Sequence, residues 1–166
     1  MPEYRRRTKM AGFIPADVVQ AVVSVSYPYQ PSDNERLLNR MLYDGAVLYA
    51  MHRLLPTLSL SELTGWTDDE VKWLDSNEKQ LYGAMIEREL LYSTSEDDMR
   101  RMLDPSPVTS ILHSEAPGRA ARYIGYRIAE SYASRHDGDG VVSAMLSPAW
   151  YNGASTLAGS GYTAAG

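Results

Sequence analysis

Apolar residues at Leu37, Met41, Leu48, Met51 and Leu55 recur at the alternating four-three spacing of a single helix face. They predict a helix that opens at a cap on Ser32 or Asp33 and runs to Leu55, with Pro56 stopping it. One position of that stripe is polar: residue 44 is Asp, and Gly45 follows it. Glycine inside a helix costs about 1 kcal/mol against alanine, so its presence implies the close approach of another backbone, or a bend. A second helix opens on the capping box Thr67-Asp68-Asp69-Glu70 and is expected to reach Leu91. Its stripe is Val71, Leu74, Leu81, Met85 and then Glu89 beside Leu90, and position 78 on the same stripe is Glu. A third runs from Arg119 to Ser134, with Ala121, Ile124, Ile128 and Tyr132 on one face and Gly125 within it.

Shorter elements fill the intervals. Pro15-Ala16-Asp17 suits a helix start, and that helix would end near Tyr27, although the valines at 18, 19, 22, 23 and 25 also suit a strand. Residues 56–66 read as a loop. Ser93-Thr94-Ser95 caps a short helix over 96–102, ended by Pro105 and Pro107, and a brief helix is expected near 108–113. One or two short helices follow, to about Leu157. There is no repeat and no hairpin signal. The expected fold is all-α, a single irregular multi-helix domain over residues 1–166 with irregular ends at 1–14 and 158–166.

Composition narrows the function. At 166 residues the chain can bury a sizeable core, and 22% charged with 44% hydrophobic residues is the balance of a globular protein. The net charge of −5 argues against a nucleic-acid binder. The basic cluster Arg5-Arg6-Arg7 with Lys9 is expected to be a solvated chain end, with a phosphate or anionic-lipid contact as the alternative. Without cysteine there is no disulfide, thiolate ligand or cysteine nucleophile. No apolar run is long enough to cross a membrane, and no signal peptide is visible at the start. Twelve tyrosines against one phenylalanine suit half-buried helix surfaces whose hydroxyls reach water or a partner.

Candidate chemistry centres on the two misplaced carboxylates. Asp44 and Glu78 should each raise their pKa or take a partner if buried. The partners expected are Arg119, Arg122 and Arg127, and the group reads first as a buried polar network that fixes helix register, with an acid–base or metal-ligand site as the sharper reading. Gly118, Arg119 and Arg122 lie at a predicted helix start, where an anion could bind, although a carboxylate of the protein itself fits such a place more often. His52, His113 and His136 have no metal-site spacing, and no His-Glu-x-x-His occurs. His113-Ser114-Glu115 and Gly159-Ser160-Gly161 fall short of any nucleophile motif. No metal, cofactor or catalytic residue is assigned.

The ordered set of short stretches resembles the C-terminal half of the gliding-motility lipoprotein GldB family. It includes Pro2-Glu3-Tyr4, Tyr43-Asp44-Gly45, Leu55-Pro56, Gly65-Trp66-Thr67, Asn77-Glu78, Glu89-Leu90-Leu91-Tyr92-Ser93-Thr94, Pro117-Gly118-Arg119, Tyr123-Ile124-Gly125-Tyr126-Arg127 and Ser160-Gly161-Tyr162. The resemblance implies a role in the bacterial cell envelope or periplasm, in gliding or secretion machinery, through protein partners and without membrane insertion by this chain. A chain complete as written would instead be cytoplasmic. The family is similar in layout to zinc-dependent peptidases, which by analogy places Asp44-Gly45 near an acidic-ligand helix. The zinc helix itself is not in these residues, so no catalytic residue is carried over. The expected function is therefore a non-enzymatic helical interaction domain. The alternatives are a partial metallopeptidase-like domain around Asp44 and Glu78, and an anion- or glycan-binding module using Arg119 and Arg122.

Overall fold

The structure, a computed structural model, describes residues 14–136 and 138–165. The expected irregular end at 1–14 and the basic cluster at 5–9 lie almost wholly outside the described residues, as does Asp137. Ten α-helices occur among the described residues: α1 Ile14–Ser26, α2 Leu37–Leu54, α3 Leu60–Thr64, α4 Asp68–Ser76, α5 Glu78–Glu87, α6 Glu96–Leu103, α7 Ala120–Arg135, α8 Val141–Met145, α9 Pro148–Tyr151 and α10 Thr156–Gly159. A 3-10 turn, Leu90–Tyr92, joins α5 to α6. No strand forms among these residues, and an isolated antiparallel bridge between Val108 and Pro117 is the one extended pairing. The fold is all-α.

Helices α2 and α7 make the most extensive contact and form the centre. Leu37, Met41, Leu48 and Met51 of α2 meet Ala121, Ile124 and Ile128 of α7 in one continuous core. The closeness of the two backbones comes from glycine. A Cβ on Gly45 would fall on the Gly125 carbonyl group, and one on Gly125 would fall on the Met41 carbonyl oxygen. The glycine that costs helix propensity in α2 thus sits opposite the glycine in α7, and what each loses in propensity is returned in backbone packing. α1, α8 and α9 pack on α2, while α6 touches both central helices.

Several boundaries differ from those the sequence predicts. α2 begins at Leu37, not after Ser32: the Arg36 amide donates to Asn39 Oδ1 at 2.8 Å, closing the helix start. The loop 56–66 contains α3, whose Ser59 and Glu62 make a capping box and whose end is Gly65 at φ 81. The long helix from Thr67 breaks at Asn77, which ends α4 and begins α5 with non-helical dihedrals. No helix forms at 108–113. There Thr109 is buried, donates from Oγ1 to the Pro117 carbonyl at 2.6 Å and accepts the Ala120 amide at 3.0 Å. Its hydroxyl thereby fastens the loop to the start of α7 instead of capping a helix of its own.

The C-terminal segment is packed. Ser160 is buried, its carbonyl accepts Ser131 Oγ at 2.8 Å, and the Ala165 carbonyl accepts the Lys79 amide at 3.2 Å. Gly161 adopts φ 64, and a side chain there would collide with the Arg135 guanidinium.

Candidate functional site

Of the five residues expected to form one polar network, two meet as an ion pair, Glu78 and Arg127. Glu78 lies in the first turn of α5 with only 1% of its side chain exposed, and accepts from Arg127 Nε at 3.2 Å. Arg127, 36% exposed, also pairs with Glu130 at 3.1 Å. The second donor to Glu78 is the Tyr162 hydroxyl at 2.7 Å, a contact that sequence reasoning missed although Gly161 marks the turn that delivers it. Burial would lower the Arg127 pKa, but Glu78 and Glu130 together raise it above the usual arginine range. Burial, then the hydrogen bond to Glu78, raises that of Tyr162.

The other three, Asp44, Arg119 and Arg122, share no hydrogen bond or ion pair with one another among the described residues, and only longer-range charge effects link them. Arg122 is buried on α7, and its guanidinium donates to Gln20 Oε1 of α1 at 3.3 Å and approaches Met51 Sδ at 3.8 Å. Burial lowers its pKa, and Asp44 raises it. Arg119 is held down to about 10 by burial and then by Arg122, against the pull of Asp44, Glu70 and Asp17. Asp44 is raised by burial, with Arg122, Arg40 and Arg119 opposing and Asp104 adding to the rise. It borders a hollow of about 210 Å³ together with Tyr29, Arg40, Tyr43, Leu103 and Asp104.

Because the folded chain holds the Asp44 proton to higher pH than the unfolded chain, folding takes up protons there. The neutral carboxyl's contribution is fully present below the ordinary value of 3.8 and is lost as pH rises through the raised folded-state pKa. Asp44→Asn keeps the shape and stays neutral. The variant should therefore melt higher than the parent near pH 7, with an advantage that shrinks as pH falls toward about 4. Thermal melts across that range check this, and a lower melting temperature near pH 7 would refute it.

Gly118 and Arg119 serve the fold. A Cβ on Gly118 would collide with the Ser106 carbonyl. The Gly118 carbonyl accepts Trp66 Nε1 at 2.9 Å, and Arg119 donates to the Thr64 carbonyl at 2.6 Å with its guanidinium 5.5 Å from the Trp66 ring centre. Arg119 itself takes a left-handed backbone at φ 62 to do so. With the Ala120 amide on Thr109, this helix start binds oxygens of the protein itself.

The histidines are apart. His52 Nδ1 bonds the Tyr126 hydroxyl at 2.9 Å, His113 Nδ1 accepts the Glu115 amide at 3.1 Å, and His136 stacks on Tyr132. Among the described residues no three His, Asp or Glu side chains converge as metal ligands.

The stretches that carry the sequence resemblance meet in space at three knots: Gly45 on Gly125, Gly65-Trp66 on Gly118-Arg119, and Glu78 on Arg127 and Tyr162. Comparison with protein families matches the model described as "Gliding motility protein GldB" over residues 1–162. The chain belongs to the GldB family. Neither curated proteins nor solved structures give a match. The three knots lie within the residues matched to the GldB family, and each is a fastening of the fold. No helix among the described residues is long and apolar enough to cross a membrane.

Proposed function

We propose that this GldB-family chain is a non-enzymatic helical domain of the bacterial cell envelope that acts through protein contacts in gliding or secretion machinery. The observation that carries the reading is the outer face of α1. Val18, Val22 and Val25 follow one another at i, i+4 and i+7, and all are more than half exposed, Val25 to 81%. The opposite face buries Ala16 and Val23 in the core. A helix already anchored on one side gains nothing in folding from three valines on the other. Exposed aliphatic side chains side by side on one helix face suit a surface that another protein covers. Family membership points to gliding machinery as the setting.

A photo-cross-linking residue at position 22, introduced into the chain in its native cell, tests this. The expected result is a discrete adduct with another envelope protein. A Val18→Glu change should abolish the adduct while leaving the melting temperature nearly unchanged, since substitutions at exposed sites usually stay within about 0.5 kcal/mol. Absence of an adduct from probes at both 18 and 22, or an adduct with a second copy alone, would overturn the reading.

A further inference from the structure

We infer that the groove centred on Tyr92 docks an extended protein segment that presents an aliphatic side chain next to a carboxylate. Two hollows adjoin there. One, of about 700 Å³, is lined by Met85, Ile86, Leu90 and Tyr92 among others. The other, of about 270 Å³, is lined by Asn34, Arg36, Asn39 and Asn152 as well as the same Tyr92. The 3-10 turn Leu90–Tyr92 buries both leucines and leaves Tyr92 outward, half-exposed like Ile86. Glu89 enters that turn at φ 55, a left-handed conformation that a non-glycine residue holds only when its surroundings enforce it.

Charge selects the occupant. The Arg36 guanidinium lies 5.6 Å from the centre of the Tyr92 ring. Among the described residues no carboxylate comes within 4.0 Å of it. The other charges of the groove are Asp98, which accepts the Ser93 hydroxyl at 2.7 Å, Arg88, which donates to the Ile111 carbonyl, and the exposed Glu89, which lines the larger hollow but not the smaller one that holds Arg36. A carboxylate set beside Arg36 gains a charge-assisted pair against an aromatic face. An aliphatic neighbour crossing Tyr92 enters the larger hollow beside Ile86 and Leu90. The chain's overall charge of −5 does not oppose this, because salt screens charges beyond about 8–10 Å and a docked carboxylate senses Arg36 at close range. The inference rests on the protein-contact reading and names the chemistry of one partner segment.

Selection of a random-peptide library on the intact chain tests it. Recovered peptides should share an aliphatic residue and an Asp or Glu at fixed separation. Arg36→Glu should weaken a fluorescein-labelled winner by about tenfold or more, and Ile86→Ser by a similar factor. Changing the peptide's acid to lysine should restore binding to the Arg36→Glu chain. A merely destabilised variant could not produce that charge-swap rescue. Failure to recover peptides, winners without an acidic residue, or binding indifferent to both substitutions would overturn the proposal. So would a sedimentation experiment in which a second copy of the chain fills the groove. The two readings fail separately: an adduct through α1 without such peptides removes the groove alone, and peptides without the adduct remove the α1 contact and the reading built on it, leaving the groove.

Discussion

A Gly125→Ala chain is expected to lose about 3 kcal/mol of stability, and Gly45→Ala a similar amount. The added methyl group has no space on either side of the α2–α7 crossing, and what it meets is backbone, not the movable end of a side chain. Overpacked cores typically cost about 1–3 kcal/mol when side chains can shift, so a clash with main chain belongs at or above the top of that range. For a chain of this size it corresponds to a fall of roughly 6–12 °C in melting temperature. Alanine is the better helix former, so propensity alone predicts the opposite sign. Circular-dichroism melts of both variants decide: a melting temperature equal to or above the parent's would mean the helices do not cross at these residues.

Glu78→Ala should cost about 2–3 kcal/mol. Breaking a fully buried pair costs about 3–5 kcal/mol. Here the discount comes from Arg127, which is partly solvated and keeps Glu130. What remains is the loss of two hydrogen bonds to a nearly inaccessible carboxylate, and with them the hold on the C-terminal segment. Tyr162→Phe removes one of the two and should cost about 1 kcal/mol or more, because a buried oxygen is left without its donor. Urea midpoints for the parent and both variants measure these. An unchanged midpoint for Glu78→Ala would show that the carboxylate is held for something other than stability.

The helical class and the α2 and α7 stripes were legible because burial imposes a period on the sequence. The same logic exposed Asp44 and Glu78, polar residues on apolar stripes, and Gly45 as a place of backbone approach. Local rules failed where a distant group decided the outcome. Asn77 interrupts a continuous apolar stripe, so periodicity runs straight through it, while the dihedral break is visible only in the Trp73–Asn77 turn. Residues 108–113 read as a brief helix, yet the Thr109 hydroxyl is claimed by Pro117 and Ala120 across a loop. The arginine that pairs with Glu78 could be named only within a set of three, since the choice depends on how α7 is rotated against α2 and α5, and Asp44 takes none of the three as an ion-pair partner among the described residues. Tyr162 lies 84 positions from the carboxylate it serves, and no pattern within its own segment points there. The Ser59 capping box, by contrast, was a readable signal inside a segment taken for a loop.

The glycine seam also sets a schedule for synthesis. Gly45 and Gly125 are 80 positions apart, so the inner face of α2 emerges well before the helix that packs on it most extensively. At about 5–20 residues per second, the Leu37–Met51 stripe waits roughly 4–16 s for its partner. A nascent chain in that interval holds α2 with only the earlier-made elements, α1, α3 and α6 among them, to cover it.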